Sequence, residues 1–125
     1  MQTRQIPKSE WPAFLDRFSR QHEGWLVKLE ILNPDLGAQI EETGLALAGL
    51  TDEWDEADGN TIMIMAGNEP DAHVTHSISN PTEVSLEQTD EGADAALSIK
   101  SADGTTALLS FRAAVLPETV DALVV

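Results

Sequence analysis

The sequence has 125 residues, 42% of them hydrophobic, which is the size of one compact domain with its own core. It contains no cysteine, which excludes a disulfide framework, an iron–sulfur cluster, a thiolate zinc site and a cysteine nucleophile. Its 22 Asp and Glu against 7 Lys and Arg give a formal net charge of −15, which argues against nucleic-acid binding because phosphate groups attract clustered Lys and Arg.

The negative charge is concentrated in one stretch of the sequence. Residues 29–99 hold 16 Asp and Glu and no Lys or Arg, so this stretch alone carries a formal charge of −16. Such a composition is typical either of adaptation to high salt or of solubility alone. It also favours a basic protein as partner, since opposite charges attract.

We expect a soluble cytoplasmic protein that binds no membrane. The N-terminal residues contain no apolar stretch of signal-peptide length, and no stretch approaches the roughly 20 apolar residues of a membrane span. Anionic lipid surfaces would also repel an acidic body.

The first predicted element is a helix over residues 9–22. Its apolar residues have helical spacing and form one stripe: Trp11, Phe14, Leu15 and Phe18. Ser9 is the predicted N-cap, and Pro12 is compatible with the first turn, where its missing N–H has no acceptor. Gly24 is predicted to end the helix in a left-handed conformation.

Strands are predicted from about residue 25 to residue 112. The first has alternating apolar residues, namely Trp25, Val27, Leu29 and Ile31. After a turn at 33–35, short strands are predicted at 38–42 and 45–50, followed by an acidic loop at 52–60. Residues 61–65 are apolar on both faces, which is typical of a central strand covered on both sides. A further loop is predicted at 67–71.

The second half of the sequence predicts two hairpins. In the first, Ile78 must lie opposite Val84 for the apolar residues of both strands to share a face, and this makes residues 80–82 the loop.

The second predicted hairpin has a three-residue loop at 102–104 with Gly104 in a left-handed bulge. This register pairs Ile99 with Ala107 and Leu97 with Leu109, which gives one apolar face. A two-residue turn would instead divide the apolar residues between the two faces.

These elements predict a single domain over residues 1–125 of the α+β class, mainly β. An N-terminal helix would pack on an antiparallel meander of seven or eight strands that forms a small barrel or a strongly curled sheet. Residues 116–125 would form a short helix or a docked tail. If the barrel does not close, an exposed sheet edge could pair with a second copy, which would make the protein a homo-oligomer.

Six strings spread over nearly the whole chain carry a family resemblance. They are RQIP at 4–7, EWPAF at 10–14, SRQHEGWLV at 19–27, HVTHSI at 73–78, LEQT at 86–89 and ADGTT at 102–106. With these strings the sequence resembles a family of short acidic bacterial proteins classified only as a domain of unknown function. That family has no assigned activity, so the resemblance implies a single bacterial domain and supplies no catalytic residue and no cofactor.

His73 and His76 are candidate binding residues, with Asp71 close in sequence. Residues three apart on a strand point to opposite faces, so a metal site that uses both histidines needs a bulge or a bend. In the structural alternative, His76 is a hydrogen-bonded core residue and His73 lies on the surface. We predict no metal and no cofactor.

Arg20 and His22 lie at the predicted junction between helix and strand, where functional residues often concentrate. His22, next to Glu23, could be a tuned base. Alternatively, Arg20 and His22 offset the helix dipole near the last carbonyl groups of the helix.

Trp54 lies within the acidic loop and is the candidate exposed aromatic residue, since Trp11 and Trp25 fit core stripes. The loop does not match a calcium-binding EF-hand, because Trp54 stands at the first ligand position when Gly59 stands at the sixth. An exposed Trp surrounded by carboxylates suits a basic or cationic partner.

The sequence contains no G-x-S-x-G, Walker or G-x-G-x-x-G string. The leading hypothesis is therefore a noncatalytic acidic domain that acts as an interaction or stress-related accessory protein. The alternative is a small-ligand-binding barrel or a small enzyme that uses His76, and with it His22, at a cavity.

Overall fold

The structure is a computed structural model, and it describes residues 2–57, 59–67 and 73–111, with the side chains of 40–43 excepted. A single turn of 3-10 helix, Lys8–Glu10, precedes the α-helix. The helix and strands are, in chain order, β1 (Gln2–Ile6), α1 (Trp11–His22), β2 (Leu26–Asn33), β3 (Gly37–Asp55), β4 (Gly59–Ala66), β5 (Val74–Ser79), β6 (Pro81–Gln88), β7 (Asp94–Ser101) and β8 (Thr106–Phe111). The predicted tail or helix at 116–125 lies outside the described residues.

The strands form an antiparallel sheet in the order β1-β6-β7-β8-β2-β3-β4-β5. Its architecture is therefore mainly β with a short N-terminal helix, as the sequence predicted. Within the described residues β1 and β5 are the two edges and do not pair with each other, so a closed barrel is not confirmed.

Helix α1 confirms the predicted apolar stripe, whose four residues are all buried. The predicted N-cap is wrong, because Glu10 occupies the cap position and no side chain caps the helix. The reason is the preceding 3-10 turn, in which the Glu10 N–H donates to the Pro7 carbonyl at 2.8 Å. Gly24 does end the helix in the left-handed region, with φ of +87°. Among the described residues no helix is long and apolar enough to cross a membrane.

Strand β1 is an element that the sequence pattern did not predict. It pairs antiparallel with β6, with Ile6 opposite Val84 and Gln2 opposite Gln88. Only Ile6 is buried and the rest of the strand is exposed. An edge strand with one buried side chain shows no apolar alternation, so periodicity could not indicate it.

Strand β3 joins the two short strands that were predicted separately and extends into the predicted acidic loop. Gly44, with φ of +79°, bends the strand without reversing it. The first half of β3 pairs with β2, and the second half, residues 47–55, pairs with β4. Trp54 lies opposite Asn60, so most of the predicted loop is the paired end of a hairpin.

Strand β4 has a buried face and a half-buried face. Ile62 and Ile64 are fully buried, whereas Met63 and Met65 are only partly covered. The prediction of a strand covered on both sides is therefore wrong for the Met63 face.

The predicted hairpin between residues 74–79 and 81–88 is wrong. Ile78 pairs with Ile62 of β4, and Val84 pairs with Ile6 of β1 and Ile99 of β7. Apolar alternation assigned the buried face of each strand correctly, but it does not specify which strand is the neighbour.

A single residue, Asn80, links β5 to β6 even though these strands are six positions apart in the sheet. A flat sheet would separate them by roughly 29 Å at about 4.8 Å per strand, whereas two trans peptides span at most about 7.6 Å. The sheet must therefore curl until the end of β5 meets the start of β6. Asn80, with φ of +53°, donates its N–H to the Asn60 carbonyl and accepts from the Ala102 N–H, both at 3.0 Å.

The second predicted hairpin is confirmed. Strand β7 pairs with β8 with Ile99 opposite Ala107 and Leu97 opposite Leu109. Gly104 has φ of +91° and its N–H donates to the Ser101 carbonyl at 3.1 Å.

The core lies on the concave side of the curled sheet, where the stripe of α1 meets buried residues from each strand of the sheet. The helix also forms a hydrogen bond with the edge of β3, beyond the residues of β3 that pair with β2. The Leu50 N–H donates to Ser19 Oγ at 2.8 Å, and Ser19 Oγ in turn donates to the Leu15 carbonyl at 2.7 Å.

Candidate functional site

His22, in the last turn of α1, is a buried polar residue with only 3% exposure. Its Nδ1 lies 2.8 Å from the Phe18 carbonyl oxygen, and its Nε2 lies 2.9 Å from Asp94 Oδ2 at the start of β7. The helix therefore places one nitrogen against its own backbone and the other against a distant strand.

Both ring nitrogens of His22 face acceptor oxygens. A doubly protonated ring beside an ionised Asp94 makes both hydrogen bonds at once, because each nitrogen then carries a proton to donate. With both nitrogens engaged, the ring has no free position from which to take a proton from a substrate. The geometry therefore favours a structural role for His22, in which it links α1 to β7. It does not favour the tuned base that the sequence suggested.

The Asp94 carboxylate is held on both sides. The Gln88 side-chain amide, opposite Asp94 across β6 and β7, donates to Asp94 Oδ1 at 2.9 Å. The hydrogen bond from His22 is the main reason that the pKa of Asp94 is lowered, and burial opposes this effect. The ionised carboxylate is thus the stable form in the folded protein.

Aromatic rings surround His22. The imidazole centroid lies 4.2 Å from the Phe18 ring, 4.7 Å from Phe111 in a stacked arrangement and 4.7 Å from Trp25 in an edge arrangement. These rings shield the hydrogen bond between His22 and Asp94 from water, which strengthens it.

A cavity of about 510 Å³ opens beside this pair. Its walls include Trp25, Gln21 and Leu86 as well as His22 and Asp94. The space is large enough for a small molecule, and Asp94 and the two glutamines of its wall are the polar groups that could contact one.

Arg20 does not join His22. Its guanidinium lies 3.2 Å from Asp16 one turn earlier, and both side chains are largely exposed, at 79% and 61%. Asp94 and Gln88 were missed by the sequence interpretation, because an acid 72 residues from a histidine gives no local signal of contact.

His73 and His76 are not brought together. His73 is exposed, whereas His76 is half-buried and lies in a groove of about 210 Å³ with Ser101, Asp103 and Thr105. This groove is separate from the cavity at His22. Within the residues that the structure describes, no cluster of three His, Asp or Glu side chains could hold a metal ion, and Asp71 lies outside them.

Trp54 is 70% exposed near the end of the β3–β4 hairpin. Asp52, two residues earlier, lies on the same face of the strand and accepts a hydrogen bond from the Asn60 amide at 2.9 Å. A groove of about 360 Å³ beside Trp54 is lined by Lys8, Asn60 and Thr82 among others. An aromatic face next to a carboxylate is an arrangement that can bind a cation.

A family model described as a family of unknown function, DUF5335, matches residues 2–119. The chain belongs to the DUF5335 family. An uncharacterized protein of Aquifex aeolicus (strain VF5) is 29% identical over 119 residues, which cover 94% of this chain and all of that protein. No solved structure gives a significant match to this DUF5335 chain. The expected resemblance is confirmed, and it assigns no specific function.

Proposed function

We propose that this DUF5335 protein acts by binding, and that its β3–β4 hairpin presents Trp54 to a Lys- or Arg-rich segment of a partner protein. The observation that carries the proposal is the 70% exposure of the Trp54 side chain on a paired strand. An indole held in solvent on a paired strand offers a large and rigid aromatic surface, and Trp is enriched at protein interfaces.

The surroundings of Trp54 favour a cationic contact. Asp52 lies on the same face of β3 as Trp54. Glu53 and Glu56 are close to Trp54 in sequence and are exposed. Cation–π attraction to the indole would then add to attraction by these carboxylates. A Lys- or Arg-rich segment offers several cations at once, and the net charge of −15 would speed its approach.

The test uses decalysine as probe, with acrylamide quenching to follow Trp54 and calorimetry to measure affinity. We expect the peptide to protect the exposed indole from quenching, with little change from Trp11, which is 1% exposed. We expect Trp54→Ala to weaken binding about two- to fivefold, the range for an exposed cation–π contact.

The matched control is Leu36→Ala. Leu36 is also 70% exposed but lies in the turn between β2 and β3, so its loss should leave decalysine affinity unchanged. Equal affinities for wild type and Trp54→Ala, or equal losses for both variants, would contradict the proposal.

Lys8 offers a second test because it is a cation in the groove beside Trp54. Lys8→Gln removes repulsion of a basic peptide, so decalysine should bind more tightly than it binds the wild type. Lys100→Gln, an exposed lysine outside the lining of that groove, is the control for the change in net charge. An equal gain in both variants would mean that net charge alone governs binding.

A further inference from the structure

Strand β5 is an open sheet edge. Within the described part of the chain it pairs with β4 on one side, and nothing pairs with it on the other. An edge of this kind presents unpaired N–H and C=O groups, and proteins usually protect such edges with charged side chains or proline. Strand β5 has neither.

The absence of charge on β5 is unusual in this sequence. Residues 72–82 contain no Asp, Glu, Lys or Arg, although the chain has 29 such residues in total. The opposite edge of the sheet, β1, carries Arg4, whose guanidinium lies 5.9 Å from the Phe14 ring centroid.

On the outward face of the sheet, the surface beside β5 is also uncharged and partly apolar, whereas Asp103 lines the groove on the other face. Cross-strand pairing places Ser77 next to Met63 and Thr75 next to Met65, and both methionines are half-buried. Opposite-facing residues of β5, such as His76, border the open groove of about 210 Å³ already described. Within the described residues no strand pairs with this edge, and the end of β5 near Asn80 faces Ser101 and Asp103 across the groove.

We propose that β5 pairs antiparallel with β5 of a second copy, which makes a two-fold dimer with one continuous sheet. The charge distribution selects this partner. Two copies each with a net charge of −15 repel each other, and this repulsion is smallest where an uncharged strand forms the contact. Backbone hydrogen bonds between the two edges then hold the dimer together.

Two registers satisfy two-fold symmetry and also pair five of the six residues of β5. Directly opposite residues of an antiparallel pair point to the same face, so the axis passes through a residue paired with its own copy, either His76 or Ser77. Centring the pair on one of these residues uses nearly the full length of β5.

The first test measures the molar mass by sedimentation equilibrium over a range of protein concentrations and salt. We expect a dimer that strengthens as salt rises, because salt screens the repulsion between the two acidic bodies. Binding of a basic peptide to Trp54 has the opposite salt dependence. Trp54→Ala should therefore dimerise like the wild type, which separates failure of this proposal from failure of the proposed function.

The decisive variant is Ser77→Lys, which puts a charge on the exposed side of β5. It should raise the dimer dissociation constant at least tenfold, because the two-fold axis brings two lysines together. Thr3→Lys, an exposed position on the β1 edge, should leave the constant unchanged. A wild type that stays monomeric, or a dimer that is indifferent to Ser77→Lys, would overturn the proposal.

Cysteine cross-linking identifies the register, since the natural chain has no cysteine. Oxidation should join copies of His76→Cys if the axis passes through residue 76, and copies of Ser77→Cys if it passes through 77. Cross-linking of the Thr3→Cys control alone would place the contact on β1 and contradict the proposal.

Discussion

The structural role of His22 and Asp94 follows from their contact with each other and not from their residue types. Each was compatible with a surface position in the sequence, since a histidine near a helix end and an acid near a turn are both common there. The structure buries the imidazole and gives both of its nitrogens an acceptor. The hydrogen bond joins the end of α1 to β7, so its loss should be felt as a loss of stability.

Asp94→Ala should lower the free energy of unfolding by about 1–3 kcal/mol, because it leaves a buried imidazole N–H without its partner. Urea denaturation measures this change. The matched control is Asp16→Ala, which removes an acid from the exposed pair with Arg20 and should cost less than about 1 kcal/mol. Similar losses in both variants would show that the buried pair contributes no more than a surface one.

Acid should remove the contribution of Asp94. Its pKa lies below the ordinary value of 3.8 in the folded protein, chiefly because His22 donates to the carboxylate. The stability that comes from this group is therefore complete above about pH 5 and is lost as the pH falls below the ordinary pKa and through the folded pKa. The Asp94→Asn variant and the wild type should converge in stability over that acidic range.

Carboxyl carbon NMR titration tests the cause directly. In His22→Gln the pKa of Asp94 should rise, since the largest lowering contribution is gone. Asp103 is the control within the same spectrum, because its pKa is lowered by hydrogen bonds from Ser101 and Thr105, which the variant does not touch. An Asp94 pKa that stays low in His22→Gln would contradict this assignment.

At the scale of elements, α1 supplies a hydrogen-bond partner to the edge of β3 beyond the point where β2 ends. Strand β2 no longer pairs with β3 at Leu50, and the Leu50 N–H donates to Ser19 Oγ instead. The hydroxyl also contacts the Leu50 carbonyl at 3.2 Å. Helix and strand are in contact here, since a Cβ added at Gly49 would lie at an ordinary van der Waals distance of 3.7 Å from the Ser19 Cβ. The Ser19 hydroxyl thus takes the place of the backbone groups that a neighbouring strand would offer to Leu50.

Ser19→Ala should destabilise the protein by about 1–3 kcal/mol and increase hydrogen exchange at the Leu50 amide, because that N–H loses its acceptor. Ser9→Ala is the matched control. Ser9 was predicted to be a helix cap but no side chain caps α1, so its replacement should change the unfolding free energy by less than about 0.5 kcal/mol. A larger effect for Ser9→Ala than for Ser19→Ala would contradict these roles.

Local patterns predicted the elements that depend on local physics. The stripe of α1 and the β7–β8 register follow from side-chain period and from Gly104, and both are confirmed. Strand pairing between distant segments is a different matter. The β5–β6 hairpin was wrong because an apolar face can pack against more than one neighbour, and the contact between His22 and Asp94 likewise requires knowledge of the pairing.

At the scale of the whole molecule, the charge distribution should make stability depend on salt. A net charge of −15 on 125 residues repels itself, and salt screens exposed charges beyond about 10 Å at 0.1 M. The free energy of unfolding measured in urea should therefore rise from low to high NaCl. Replacing Glu53, Glu56 and Glu83 by Gln should reduce the salt dependence, and stability that is indifferent to salt in both proteins would contradict the idea.

Sheet order also has a consequence for how the protein folds. Strand β1 pairs with β6, β2 pairs with β8, and His22 contacts Asp94. The N-terminal segments therefore form their native contacts with residues that lie roughly 70 to 85 positions further along the chain. Such nonlocal contacts slow the search for the native state, so we expect folding in milliseconds to seconds rather than microseconds.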